Sequence, residues 1–209
     1  MLSPAENAQA FFKGYNKGKR TFIALQEQMK ANSGEIAYLD SVLSCLSTAA
    51  DEADIEEIRS ELAGEGFIKK KRSKNKAQKK SKPLRYISSD GFEIYVGKNN
   101  LQNDELTLRF ARATDIWMHT KDIAGSHVII RRQGKEIPPA TISEAAKLAA
   151  FHSKGRQSSQ VPVDYTEKKN VRKPNGAKPG FVIYDFYNTM YVTPKEEELL
   201  AINRNVINN

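Results

Sequence analysis

The chain has 209 residues, 39% of them apolar, with 33 Lys and Arg against 25 Asp and Glu for a formal charge of +8. That length fits one or two domains, the absence of any 18-residue apolar run leaves no membrane-spanning helix to expect, and the polar start after Met1-Leu2-Ser3-Pro4 leads us to expect no secretory signal. One cysteine, Cys45, cannot form an internal disulfide and reads as a core thiol, so the expected compartment is the cytoplasm.

Ser3-Pro4-Ala5-Glu6 places a capping hydroxyl, a first-turn proline and an acid at the start of a helix. Ala8, Phe11, Tyr15, Gly18, Phe22, Leu25, Met29, Asn32, Ile36, Leu39, Leu43 and Leu46 then follow at alternating spacings of three and four. A trail of that length predicts a coiled-coil helix, with Gly34 as a point where it could bend or break. Ile55, Ile58 and Leu62 mark one further helix, too short to cover the seam. The seam is therefore expected to pair either with a segment missing from this chain, as in a fragment of a longer protein whose Met1 was added for expression, or with a second copy in a homodimer.

After Gly64 and Gly66 comes a cationic run from Lys69 to Arg85. It holds Lys69, Lys70, Lys71, Arg72, Lys74, Lys76, Lys79, Lys80, Lys82 and Arg85, and no acid. Without these ten the chain carries 23 basic residues against 25 acidic ones, so the basic character is local. Such a run reads either as a solvated linker or as a polyanion-binding tether whose affinity falls steeply with salt.

Beyond the run the pattern shortens. Leu84–Ser88 and Phe92–Val96 flank Asp90-Gly91, a hairpin signal. A short helix is expected over Asn103–Ala111, strands over Asp115–Asp122 and His127–Arg132 joined through Gly125, and a helix capped by Ser143 that ends before Gly155. Val161–Tyr165, Phe181–Phe186 and Thr189–Thr193 complete the expected strands. The fold class is α+β: a long N-terminal coiled-coil-type helix, then a mostly antiparallel sheet domain with one or two packed helices. The expected organisation is arm helices over 1–66, a basic linker over 67–83, the sheet domain over 84–197 and a C-terminal tail over 198–209.

Asp115-Ile116-Trp117-Met118-His119-Thr120-Lys121 is the most informative segment. As a strand it directs Ile116, Met118 and Thr120 to one face and Asp115, Trp117, His119 and Lys121 to the other. A ring beside cations is how proteins hold unstacked bases and phosphates; equally, Trp117 could be core and His119 a neighbour of Asp115. His119 and His127 could meet across a hairpin, but with His152 on a helix and no cysteine cluster a metal site is not expected. Ser126 next to His127 fails as a nucleophile pair, since strand neighbours face opposite ways. No phosphate-cradling glycine motif and no paired carboxylates occur, so neither catalysis nor a cofactor is expected. Smaller basic groups are Arg131-Arg132 and Lys168, Lys169, Arg172 and Lys173, with Lys178 in a Pro/Gly loop that reads mainly as a rigid connection.

Residues 115–122, followed by Gly125-Ser126-His127-Val128-Ile129-Ile130, resemble the signature of the NFACT RNA-binding domain. Val161-Pro162-Val163-Asp164-Tyr165-Thr166, the run from Lys173 to Gly180 and Tyr191-Val192-Thr193-Pro194 match in the same order, and Ser3–Gln9 with Lys13–Lys17 resemble the family's second coiled-coil helix. The resemblance implies the C-terminal part of a bacterial member. Full-length members bind the obstructed large ribosomal subunit with its peptidyl-tRNA and recruit tRNA, chiefly alanyl-tRNA, for a C-terminal tail made without mRNA; the ribosome performs the chemistry. RNA contact is then expected from the basic residues named above together with Asp115, Trp117, His119, Lys121 and His127. Members have also been labelled fibronectin-binding proteins, so the rival reading is an adhesin for fibronectin or fibrinogen, reaching the cell surface without a signal peptide. The N-terminal domain, the helix-hairpin-helix region and the first coiled-coil arm are absent from this chain, which puts tail synthesis by this part alone in doubt.

Overall fold

A computed structural model describes residues 2–69 and 81–203. The chain forms two compact units, residues 1–39 and 40–209. Helix α1 (Pro4–Thr48) opens with a reciprocal cap: Ser3 Oγ accepts from the Glu6 amide at 3.3 Å, and the Ser3 amide donates to Glu6 Oε2 at 2.7 Å. It runs unbroken through Gly34, because one glycine without a packing demand to bend lowers helix propensity without ending the helix. The 3–4 seam is open: Phe11, Tyr15, Phe22, Leu25, Met29 and Ile36 are all exposed. Near the helix end Leu43 and Leu46 continue the open seam, while Val42 and Cys45, which lie off it, are buried.

Helix α2 (Glu52–Gly64) is capped by Asp51, whose side chain accepts from the Asp54 amide. Two strands follow, β1 (Leu84–Ile87) and β2 (Glu93–Val96), joined by the expected Asp90-Gly91 turn with Gly91 at φ +81. Helix α3 (Asn100–Glu105), capped by the Asn99 side chain, passes into a π-helical segment over Leu106–Phe110. Strands β3 (Ile116–Thr120) and β4 (Val128–Ile130) lead to helix α4 (Pro139–Phe151). This helix begins four residues before Ser143: Pro138 and Pro139 have the fixed φ of a helix entrance, so the prolines, not the serine, set the start. Next come β5 (Val161–Glu167), β6 (Val171–Arg172), β7 (Ile183–Tyr184), β8 (Asn188–Val192) and α5 (Glu196–Asn203).

Six strands pair antiparallel in the order β1-β2-β4-β3-β5-β8. The expected strand over Phe181–Phe186 is instead the two-residue β7, paired with β6 in a separate ribbon. Left-handed backbone at Gly180 (φ +78) and Phe186 (φ +51) turns the chain at both ends of that stretch.

The sheet is covered on both faces. One face packs Ile94, Val96, Met118, Val128, Ile130 and Val163 against Ala145, Leu148 and Ala149 of α4 and Leu199 and Ile202 of α5. The alanines let the helix approach closely, and each fully buried Ile, Val, Leu or Met contributes about 1.5–3 kcal/mol. The other face packs Trp117 and Ile129 against Leu106, Ala111, Val171 and Tyr184. No described helix is long and apolar enough to cross a membrane.

Candidate nucleic-acid interface

Strand β3 lies next to the sheet centre, between β4 and β5, and its alternation sends Met118 to the helix side and Trp117 to the ribbon side. Both sides are closed there. Trp117 has no exposed surface, so its ring offers no face to a base. It stacks on His119 (centroids 6.0 Å apart, planes at 18°), meets His127 edge-on at 5.2 Å and tilts against Tyr184 at 4.7 Å. Its indole N–H finds no hydrogen-bond acceptor among the described residues.

Asp115 is buried as well. Its carboxylate accepts from the Arg112 amide at 2.8 Å and the Arg132 amide at 2.9 Å, and it forms an ion pair with Arg131 Nε at 3.2 Å. The Arg131 guanidinium lies 4.5 Å over the Phe110 ring and donates to the Phe110 carbonyl. The Asp115 carboxylate thus ties its own turn to the end of β4, which is a structural duty. His127 is buried with Nδ1 2.8 Å from Thr107 Oγ1, and burial drives its pKa well below the ordinary histidine value, with His119 adding to the depression. The two imidazoles do meet, edge-on at 5.4 Å. No cluster of three or more metal-ligating side chains occurs among the described residues. His119 is half-buried, and burial lowers its pKa too. Of this strand's polar face only His119 and Lys121 retain exposed surface; the Lys121 ammonium stands 5.3 Å from the centre of the Tyr187 ring.

The predicted cations of the folded part are mostly paired. Arg85 binds Glu93, Arg132 and Lys169 share Glu167, Arg172 binds Asp185 at 2.6 Å, Lys173 binds Asp104, and Lys178 binds Glu65 at 2.7 Å. Lys168 forms no ion pair among the described residues, and Lys69 and Lys82 are exposed. Lys70, Lys71, Arg72, Lys74, Lys76, Lys79 and Lys80 lie outside the described residues. The Pro/Gly loop is the rigid connection expected of it: the Gly180 amide donates to Asp104, and a Cβ at Gly180 would come within 2.5 Å of Asn100 Oδ1.

Several participants were not singled out in the sequence. Asp164, buried in β5, accepts from Thr189 Oγ1 at 2.6 Å and from the Tyr184 hydroxyl at 2.9 Å; burial first, and then this bond, push the Tyr184 pKa upward. Phe186 projects from the turn between β7 and β8 with 87% of its surface exposed, at φ +51. A bulky side chain in that region of backbone space is strained by about 1–3 kcal/mol. Below it, Thr166 Oγ1 donates to the carbonyls of Asp185 and Phe186 and accepts from Asn170 Nδ2. Phe186 borders an open depression of about 440 Å³ with Ile116, Tyr165, Lys169, Asn170 and Asn188. An exposed phenylalanine gives no sequence signal, because its spacing matches any strand residue.

The sheet, closed on one face by helices and on the other by the β6–β7 ribbon, belongs to a fold that the comparisons assign to a family. The family model described as "NFACT protein RNA binding domain" matches residues 82–184, and "NFACT N-terminal and middle domains" matches residues 1–81. "Rqc2 homolog RqcH" of Bacillus subtilis is 47% identical over 207 residues, covering 97% of this chain and 35% of that protein. The Streptococcus suis protein of the same description is 44% identical, covering 96% and 36%. The solved C-terminal structure of the fibronectin/fibrinogen-binding protein from Streptococcus suis superposes with a TM-score of 0.87 at 42% identity, over 97% of this chain and 80% of that one. The chain belongs to the NFACT family and carries its RNA-binding domain. It spans about a third of the length of the curated relatives it matches.

Proposed function

We propose that this chain is the RNA-gripping part of a ribosome-associated quality-control factor. Its folded domain and cationic run hold large-subunit RNA and tRNA in the cytoplasm, in support of C-terminal alanine tailing by the whole protein. The observation that carries this reading is the match to the NFACT RNA-binding domain over residues 82–184, joined to a net charge concentrated between Lys69 and Arg85. Relatives described as homologues of Rqc2 support the ribosomal setting. Because the cations of the folded domain are largely matched by acids, the long-range attraction falls to the run. Replacing at least four of its lysines by Ala should weaken binding to tRNA and large-subunit RNA. The slope of log affinity against log salt should flatten by roughly 0.7–0.9 for each phosphate the variant no longer neutralises. Unchanged affinity would overturn the role of the run.

The second reading, an adhesin for fibronectin or fibrinogen, is favoured by one observation, the description of the Streptococcus suis structure. Measuring fibronectin binding with and without nuclease, at low and physiological salt, separates the two: a specific contact survives both treatments, and simple charge attraction does not.

A further inference from the structure

Phe186 contributes almost nothing to the fold that holds it. The residue is 87% exposed, so it buries little apolar surface. Among the described residues four non-glycines have left-handed backbone, Asp122, Gln133, Gln160 and Phe186, and Phe186 is the one aromatic. A turn that needed only this backbone would be better served by Gly or Asn. Instead the turn is fixed from beneath: the buried Thr166 hydroxyl is held by Asn170 and donates to the carbonyls of Asp185 and Phe186. The strain is therefore maintained by specific bonds while the ring is held out over the depression it shares with Ile116 and Tyr165.

The surroundings are cationic. At the surface Arg132, Lys168, Lys169 and Arg172 stand against Glu167 and Asp185, while a third acid, Asp164, is buried and taken up by Tyr184 and Thr189. The pairs made by Lys169 and Arg172 are at the surface, where an exchange of carboxylate for phosphate is nearly neutral in free energy. An exposed Asn188 side chain on the rim offers both a donor and an acceptor.

We infer that Phe186 is a stacking platform for an unpaired base of single-stranded or looped RNA, with Lys168, Lys169 and Arg172 taking the flanking phosphates. The inference deepens the RNA-binding reading and rests on it. An apolar ring alone would fit a protein partner equally; the surplus of cations around it favours a nucleic acid.

The test compares the chain with Phe186→Ala, Phe186→Gly and Phe186→Trp. Each is titrated with an unstructured RNA oligomer and with a perfect RNA duplex of equal phosphate number, at fixed salt. The Ala and Gly variants should bind the oligomer roughly five- to a hundredfold more weakly, the Trp variant should stay within about twofold, and duplex affinity should not change. The salt slope should also hold, since no charge is removed. The Gly variant should melt no lower than the parent, because glycine relaxes the backbone; a residue needed only for the fold would melt lower. Parent-like oligomer binding by the Ala variant overturns the platform and leaves the RNA-binding reading standing. No binding of either RNA by the parent chain overturns that reading and the platform with it. A loss confined to intact large ribosomal subunits, with naked RNA unaffected, assigns the ring to a protein partner and overturns the platform.

Discussion

At the scale of single residues, all three histidines are held neutral by burial. His119 and His127 line the ribbon side of the sheet, and His152 ends α4 with its Nε2 3.0 Å from the Tyr86 hydroxyl. Burial, and then the nearby Arg156 charge, lower the His152 pKa to about 4. In the unfolded chain each imidazole takes up a proton near pH 6.5. As pH falls, the unfolded state is therefore protonated first. The stabilisation is complete above about pH 6.5 and is lost as pH drops toward the folded value. For His152 alone the interval from 6.5 to about 4 amounts to roughly 3 kcal/mol. Thermal midpoints should be flat between pH 7 and 8 and should fall between pH 6.5 and 5, before most carboxylates titrate, and His152→Gln should shallow that fall. A midpoint independent of pH across this window would contradict neutral buried rings.

At the scale of elements, the docking of α2 is polar. Asp54, Glu57 and Glu61 fall on one face of the helix. Asp54 binds Lys98 Nζ at 3.0 Å and Ser81 Oγ at 2.5 Å, Glu57 accepts from the Asn99 and Gln102 side-chain amides, and Glu61 accepts from Asn100. Burial opposes the Asp54 charge, yet bonds from Ser81, the Ala50 amide and Lys98 hold its pKa below the ordinary carboxylate value. Removing one partner of such a set strands the others. Asp54→Ala should lower stability by about 2–4 kcal/mol in urea unfolding and speed amide exchange over α3. This interface explains part of what the sequence concealed. Ile55, Ile58 and Leu62 announced the helix, and Ile58 is buried, but an acidic stripe reads as a solvent face until its Asn and Gln partners are brought to it. The hairpin at Asp90-Gly91 was legible because its chemistry is local. The change of layer at β7 was not, since it depends on left-handed backbone at Gly180 and Phe186, and Phe186 has no propensity for it.

At the scale of the whole molecule, apolar periodicity located α1 correctly but could not say whether its seam is covered. Phe11 is 74% exposed and Met29 69%. Phe22→Glu with Met29→Glu should therefore shift the unfolding free energy of the sheet domain by no more than about 0.5 kcal/mol. Sedimentation equilibrium decides between the two partners offered for the seam: if a second copy covers it, a concentration-dependent dimer should become a monomer in the double variant, and a parent that is monomeric at every concentration removes the homodimer. The segment around Trp117 was legible as a strand with alternating faces, not the closure of its polar face. Alternation placed Trp117 and His119 on one face, but it cannot tell a face open to RNA from one closed by a ribbon supplied much later in the chain, by Val171–Arg172 and Ile183–Tyr184. The closed ribbon also makes the molecule self-reporting. Trp117 is the single tryptophan, fully enclosed and flanked by two imidazoles, so the intrinsic emission of the chain is a gauge of that one layer. Its spectrum should be blue-shifted in the native protein and move to the red when the ribbon lifts, whereas events on α1 pass without a change in colour.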